Sequence, residues 1–97
     1  MPTREILASF WRDWDGLTPE QQRQFRAAVR KFVEDLRAGA GFRPGLRVKG
    51  VRGSPGIYEL TWAPNGRATF EYGKSARTDE AHIRWRRIGT HDILRKP

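Results

Sequence analysis

The chain contains no cysteine, which excludes disulfide bridges and thiolate metal sites. Histidine is also scarce, and no cluster of carboxylates in the sequence accompanies either His82 or His91. No apolar run approaches the ~20 residues that a membrane-spanning helix needs, and the first residues lack the apolar core of a secretory signal. These absences predict a protein that works without a metal ion, a cofactor or a membrane partner, and they are compatible with the cytoplasmic location that we expect.

Acidic residues are fewer than basic ones. There are 11 aspartates and glutamates against 19 lysines and arginines, and the formal net charge is +8. A charge of this sign attracts polyanions, so nucleic acid and acidic proteins are the candidate partners. At 97 residues the chain is expected to form one domain, residues 1–97, with too little volume for an enclosed active site. Any chemistry is therefore expected in an exposed groove.

The first half of the chain has the pattern of two helices. Apolar residues recur at three- and four-residue spacing from Ile6 to Trp14, which predicts an amphipathic helix. A capping box that starts at Thr18, with Pro19 at the first helical position, predicts a second, longer helix that ends at Gly39. The two helices are expected to form a hairpin with one buried side.

The second half changes to a two-residue alternation rich in β-branched and aromatic residues, which predicts strands. Pro64-Asn65-Gly66 is a hairpin signal between two of them, and a polar loop is expected over 73–80. This order predicts an α+β fold, in which an N-terminal helical hairpin packs on a small antiparallel sheet of about four strands. The predicted strands are 46–51, 57–62, 67–72 and 82–88.

Basic residues concentrate on the predicted strands. If neighbouring strands pair as a meander, these side chains converge on one sheet face, near aromatic residues that can stack unpaired bases. The alternative is that the arginines only confer solubility and the aromatic residues form the core; the alternation of Trp85 with Ile83 favours a core position for that tryptophan. The candidate RNA-binding residues are Arg43, Arg47, Tyr58, Arg84 and Arg86.

Three segments of the second half resemble the strands of a known family. Residues 46–60, LRVKGVRGSPGIYEL, resemble the central strands of the RelE/ParE toxin superfamily, in its histidine-bearing RelE-like branch, where a basic strand leads through a turn into a strand that carries tyrosine. Residues 66–72, GRATFEY, resemble the next strand, which opens with arginine. Residues 88–94, IGTHDIL, resemble the terminal glycine–threonine–histidine segment. With the helical hairpin in the matching place, the resemblance spans most of the chain.

The resemblance implies a function and partners. RelE-like members are toxins of type II toxin–antitoxin systems that cut messenger RNA without a metal, many of them in the ribosomal A site. A cognate antitoxin protein holds them inactive. The chain is accordingly expected to be an endoribonuclease whose partners are the antitoxin, messenger RNA and the ribosome. Two alternatives stay open: a ParE-like toxin that inhibits DNA gyrase, and a nucleic-acid-binding module without catalysis.

The resemblance also implies four catalytic residues: His91, Arg67, Arg52 and Lys49. Arg67 matches the arginine at the scissile phosphate, and His91 matches the terminal histidine. An imidazole titrates near ~6.5 and can transfer protons at neutral pH, whereas guanidinium groups stay charged and bind phosphate oxygens. His91 is therefore expected to act as general base or general acid, and Arg67 and Arg52 to stabilise the transition state. Lys49 suits phosphate binding, and it suits proton transfer only if its surroundings strongly change its basicity.

The sequence departs from the family pattern at both ends. No tyrosine follows Gly89, so no catalytic tyrosine is assigned there. Members of the family begin with a strand, whereas residues 3–8 run directly into the helical pattern.

Overall fold

A five-stranded sheet with two helices on one face makes up the structure, a computed structural model that describes residues 3–73 and 81–97. The elements are β1 (Thr3–Ile6), α1 (Ala8–Asp15), α2 (Pro19–Ala38), β2 (Lys49–Gly50), β3 (Ile57–Ala63), β4 (Gly66–Tyr72) and β5 (His82–Thr90). Two short 3₁₀ helices span Pro44–Leu46 and His91–Arg95. Beyond Gly73, the polar loop predicted over 73–80 lies outside the described residues.

The sheet confirms the α+β class and corrects the strand count. Strands β2, β3, β4 and β5 form the predicted antiparallel meander. The additional strand is β1, which pairs in parallel with β5 at the edge, so the sheet is mixed and has five strands. Ile6 belongs to this strand and not to the first helix. Leu7 then donates its backbone N–H to the Trp85 carbonyl oxygen at 3.0 Å, and α1 begins at the next residue.

The strand predicted over 46–51 is much shorter in the structure. Pro44 opens a 3₁₀ helix, and Arg47 follows it with a φ of 47°, which interrupts the extended backbone. Only Lys49 and Gly50 pair with β3. The Val51 N–H then donates to the Ile57 carbonyl oxygen at 2.8 Å across the turn between the two strands.

Helix α2 has the ends that its sequence predicts. The Thr18 hydroxyl accepts a hydrogen bond from the Gln21 N–H at 3.1 Å, and the Gln21 side chain accepts one from the Thr18 N–H at 2.9 Å. Gly39 ends the helix in the left-handed region with a φ of 71°. These local bonds stabilise both ends of the long helix that covers the sheet.

Phe32 lies at the centre of the core between α2 and the sheet. It is 1% exposed, and its ring centroid lies 4.8 Å from that of Phe42, 5.0 Å from Phe70 and 5.5 Å from Trp85. Trp85 is itself buried, so this tryptophan packs in the core and is not a surface for stacking bases. Because both helices cover this one face, the other face of the sheet is left open.

Asp35 fastens the segment after α2 to that helix. Its carboxylate accepts hydrogen bonds from Arg43 Nε at 3.0 Å, Arg43 Nη2 at 2.9 Å and the Arg43 backbone N–H at 2.9 Å. The side-chain hydrogen bonds, followed by the backbone bond, lower the pKa of Asp35 below its ordinary value. A carboxylate with a lowered pKa stabilises the folded chain above its unfolded-state pKa, and this contribution is lost as the pH falls through the folded-state pKa.

We expect Asp35→Asn to lower the melting temperature at neutral pH and to remove part of its dependence on acidic pH. The pH dependence that the variant lacks should lie around and below the ordinary pKa of 3.8, where the parent carboxylate becomes protonated. Thermal unfolding of both chains over this range is the measurement, with the exposed Asp15→Asn as the control. Parallel curves for the parent and Asp35→Asn would contradict the expectation.

Candidate active site

The open face of the sheet carries the polar side chains of the central strands. Strand alternation directs Leu60 and Phe70 toward the helices and Glu59 and Thr69 toward the open face. After β5 the chain returns across this face, where the Thr69 hydroxyl donates to the Pro97 carbonyl oxygen at 3.1 Å. The C-terminal segment therefore forms one wall of a cleft above the sheet.

His91 stands at the start of this wall, and its neighbours fix its position. A β-carbon on Gly89 would lie 2.9 Å from Ile93 Cγ2, so the close packing of the 3₁₀ helix on β5 requires glycine. The Thr90 hydroxyl accepts a hydrogen bond from the Asp92 N–H at 3.3 Å, and Ile93 is buried. This anchoring leaves His91 exposed toward the cleft.

The cleft has a volume of about 710 Å³ and lies between the edge strand β2 and the C-terminal 3₁₀ helix. It brings together three of the four predicted catalytic residues, Lys49, Arg52 and His91, from distant parts of the sequence. The cations of the lining suit an anionic ligand such as a phosphate. The lining residues are Lys49, Gly50, Val51, Arg52, Glu59, His91, Asp92, Leu94 and Arg95.

Glu59 is the lining residue that the sequence reasoning missed. It is 5% exposed, it lies directly opposite Lys49 in the β2–β3 pairing, and it lines the cleft. A buried carboxylate is costly unless a nearby cation offsets its charge, and Arg67 Nε lies 3.9 Å from Glu59 Oε1. Apart from Thr61, the other residues of β3 are apolar or aromatic, and an acidic residue at an alternating position among them is the sequence signal that indicates Glu59.

Arg67 lies beside the cleft and is not part of its lining. Its Nη1 donates to the carbonyl oxygens of Gly66 at 3.0 Å, Pro64 at 3.3 Å and Ala63 at 3.4 Å, all in the β3–β4 hairpin. Its side chain is 14% exposed. These bonds direct the guanidinium toward the hairpin, so Arg67 contacts the site through Glu59.

Arg84 and Arg86 lie on the open face, as the meander predicts, but both are ion-paired. Glu71 Oε1 lies 3.1 Å from Arg84 Nη1 and 3.2 Å from Arg86 Nη1, and Glu5 Oε1 lies 2.7 Å from Arg84 Nε. The bonds to Glu5 and Glu71 raise the pKa of Arg84, and the bonds from Arg84 and His82 lower the pKa of Glu5. This network ties β1, β4 and β5 together.

The structure does not bring the remaining predicted RNA-binding residues to the cleft. Arg43 is ion-paired with Asp35 at the end of α2, and Arg47 is exposed in the segment before β2. Tyr58 lies on the helix-covered face, where its ring stacks on Phe70 at 5.7 Å between centroids. Tyr58 and His91 therefore lie on opposite sides of the sheet.

The described part of the chain contains neither a cluster of metal-binding side chains nor a helix that could span a membrane. Within residues 3–73 and 81–97, no three histidine, cysteine, aspartate or glutamate side chains lie close enough together to share a metal ion. No helix in these ranges is both long and apolar enough to cross a bilayer.

Comparison with known proteins identifies the fold. No family model matches the chain, and no curated protein matches its sequence. Among solved structures, a chain of the E. coli DinJ–YafQ complex aligns with a TM-score of 0.66 at 13% identity, covering 97% of this chain and 98% of that one. A YoeB/ParE toxin from Agrobacterium tumefaciens gives 0.65 at 13%, covering 92% and 98%. The chain has the RelE/ParE toxin fold.

The same fold extends to an archaeal protein. A chain of the RelB–RelE antitoxin–toxin complex from Methanococcus jannaschii aligns with a TM-score of 0.60 at 13% identity, and 93% of each chain is covered. In the RelE/ParE fold of the present chain, the cleft lies on the open sheet face, between β2 and the C-terminal segment.

Proposed function

We propose that this chain, residues 1–97, is the toxin of a type II toxin–antitoxin pair and a metal-independent endoribonuclease that cleaves messenger RNA in the cytoplasm. The observation that supports this proposal most strongly is the convergence of Lys49, Arg52, Glu59 and His91 on one cleft. Two cations, a carboxylate and an imidazole are groups that suit phosphodiester cleavage by the RNA's own 2′-hydroxyl.

In the proposed reaction Glu59 accepts the proton of the 2′-hydroxyl, and the 2′-oxygen forms a bond to the adjacent phosphorus. The bond from phosphorus to the 5′-oxygen breaks, and protonated His91 gives its proton to that leaving oxygen. Lys49 and Arg52 bind the nonbridging oxygens and stabilise the negative charge that builds up on them. The products are a 2′,3′-cyclic phosphate and a 5′-hydroxyl, so atoms and charge balance without a further reactant.

Arg67 serves this reaction as a positioning residue. Its bonds to the hairpin carbonyls fix its position, and its Nε lies 3.9 Å from the Glu59 carboxylate. The family resemblance implies that Arg67 contacts the scissile phosphate directly. In this proposal Arg52 and Lys49 make that contact.

We expect Glu59→Gln to reduce the cleavage rate by ~10²-fold, the lower end of the usual range for a proton-transferring group. The expected effect is smaller than that of replacing the general acid His91, because water can also accept the proton of the 2′-hydroxyl. Glu59→Asp, which keeps the carboxylate, should retain most of the rate. Cleavage at the parental rate in Glu59→Gln would exclude this role.

The proposal includes an antitoxin and the ribosome as partners. Two of the solved relatives are complexes of a toxin with its antitoxin, DinJ–YafQ and RelB–RelE, and an acidic antitoxin segment would complement the cations of the cleft. Co-expression with the product of the neighbouring gene is expected to give a stable complex that abolishes toxicity.

The experiment that tests the function adds the wild-type chain to a translating cell-free system and measures the integrity of the messenger RNA. Discrete cuts with 5′-hydroxyl ends are the expected result, and cuts in translating but not in free RNA would support action on the ribosome. Intact messenger RNA would contradict the proposed ribonuclease activity. Inhibition of DNA gyrase supercoiling in that case would identify the ParE-like alternative.

A further inference from the structure

The basic residues of the described chain divide into two groups. Arginines 23, 43, 67, 84, 86 and 87 each lie within 4.0 Å of a carboxylate oxygen. Within residues 3–73 and 81–97, no ion pair is formed by Arg4, Arg26 or Arg30, or by the cleft residues Lys49 and Arg52. The paired arginines have a structural role that accounts for them. The unpaired cations of these ranges also include Arg12, Lys31, Arg37, Arg47, Arg95 and Lys96, and the five named first lie in two separate places.

The second place is a hollow of about 260 Å³ where α1, α2 and β1 meet, which we call the helix-side hollow. Arg4 comes from β1, Trp11 and Trp14 come from α1, and Arg26 comes from α2. Arg30 lies one helical turn beyond Arg26. The other lining residues, Ile6, Phe10, Phe25 and Val29, form its apolar floor.

The hollow contains a tryptophan side chain that is exposed to solvent. Trp11 is 49% exposed, one of two large hydrophobic side chains of the described residues that are this open. The Arg26 guanidinium carbon lies 5.3 Å from the Trp14 ring centroid, which holds this cation at the hollow. An exposed indole in the same hollow as two arginines matches the recognition of single-stranded nucleic acid, in which bases stack on aromatic rings and cations bind the phosphates.

We propose that the helix-side hollow is a second RNA-contact surface, in which Trp11 stacks on an unpaired base while Arg4 and Arg26 bind the flanking phosphates. The inference rests on the proposed function, because its ligand is a single-stranded part of the same RNA that enters the cleft. The hollow lies on the helix side of the sheet and the cleft on the open side. The helix-side hollow therefore binds RNA at a distance from the scissile bond, and it adds affinity without taking part in the chemistry.

The test measures binding of a long single-stranded RNA to chains that carry His91→Ala, so that binding is separated from cleavage. Affinity is measured over a series of salt concentrations. Replacing both Arg4 and Arg26 by glutamine should reduce the slope of log K against log[salt] by about 1.4, which is ~0.7 for each lost phosphate contact. Trp11→Ala should weaken binding by roughly 5- to 150-fold, the loss of one stacked base, and Trp11→Phe should restore part of it.

Arg23→Gln is the matched control, because it removes one charge from the same helix but from an arginine that is paired with Glu20. It should leave the salt slope unchanged. An unchanged slope in the Arg4/Arg26 variant, or an equal change in Arg23→Gln, would overturn the second surface, as would full affinity in Trp11→Ala. Wild-type chain that leaves RNA intact would instead overturn the proposed function, so the two failures are distinguishable.

Discussion

Replacing His91 by alanine is expected to slow messenger RNA cleavage by ~10²–10⁴-fold while the chain stays folded. The 5′-oxygen is a poor leaving group as an alkoxide, so the reaction depends on a group that protonates it as the bond breaks. His91 is exposed at the start of a 3₁₀ helix that is anchored by Gly89 and Ile93, and its ring supports no part of the core. Its removal should therefore affect the chemistry and not the stability.

His82→Gln is the matched control for this experiment. The His82 ring contacts the Thr3 hydroxyl at 2.7 Å and the Glu5 carboxylate at 3.2 Å, at the β1 edge of the sheet and away from the cleft lining. Cleavage rates are measured in the translating system, and thermal unfolding shows whether both variants are folded. If His91→Ala cut at the parental rate, the assignment of the general acid would be wrong. Equal losses in both variants would point to a structural effect.

Replacing Phe32 by alanine is expected to reduce the free energy of unfolding by about 3–5 kcal/mol. Phe32 is 1% exposed and packs against three aromatic rings, so the smaller side chain leaves a cavity that the surrounding rings cannot fill. Small domains have a total stability of only about 5–15 kcal/mol, so this variant should be close to unfolding. The loss should be the largest of any single core truncation in α2.

Chemical denaturation of the two chains measures this loss as a shift of the transition midpoint. Phe32→Leu serves as a graded control, because leucine keeps much of the apolar volume and should cost clearly less than alanine. A loss below about 1 kcal/mol in Phe32→Ala would mean that the core relaxes around the cavity and that the aromatic cluster is not the centre of the fold.

The helices illustrate what local sequence predicts well. The capping box at Thr18, the proline at the first helical position and the left-handed Gly39 all act through bonds between residues at most four positions apart. Such bonds form in the same way in whichever fold surrounds them. The Pro64-Asn65-Gly66 hairpin between β3 and β4 was predictable for the same reason.

Strand β1 illustrates where local patterns mislead. Ile6 has the right spacing to join the apolar stripe of α1, yet it lies in a strand because residues 3–6 pair with residues 82–85 at the far end of the chain. The shortening of β2 has a different cause, since the left-handed Arg47 breaks an alternation that looks continuous. Pairing partners and backbone breaks of this kind are set by contacts outside the segment itself.

The sequence by itself determined the two helices, the meander and, through the family resemblance, the residue types of the cleft. Only the tertiary structure decided that Lys49, Arg52 and His91 meet, that Glu59 joins them, and that Arg67 faces the hairpin. It also decided which arginines are ion-paired with carboxylates on the helices and on other strands. The physical reason is that charge acts through space: whether a cation is free to bind a phosphate depends on side chains that only folding brings near it.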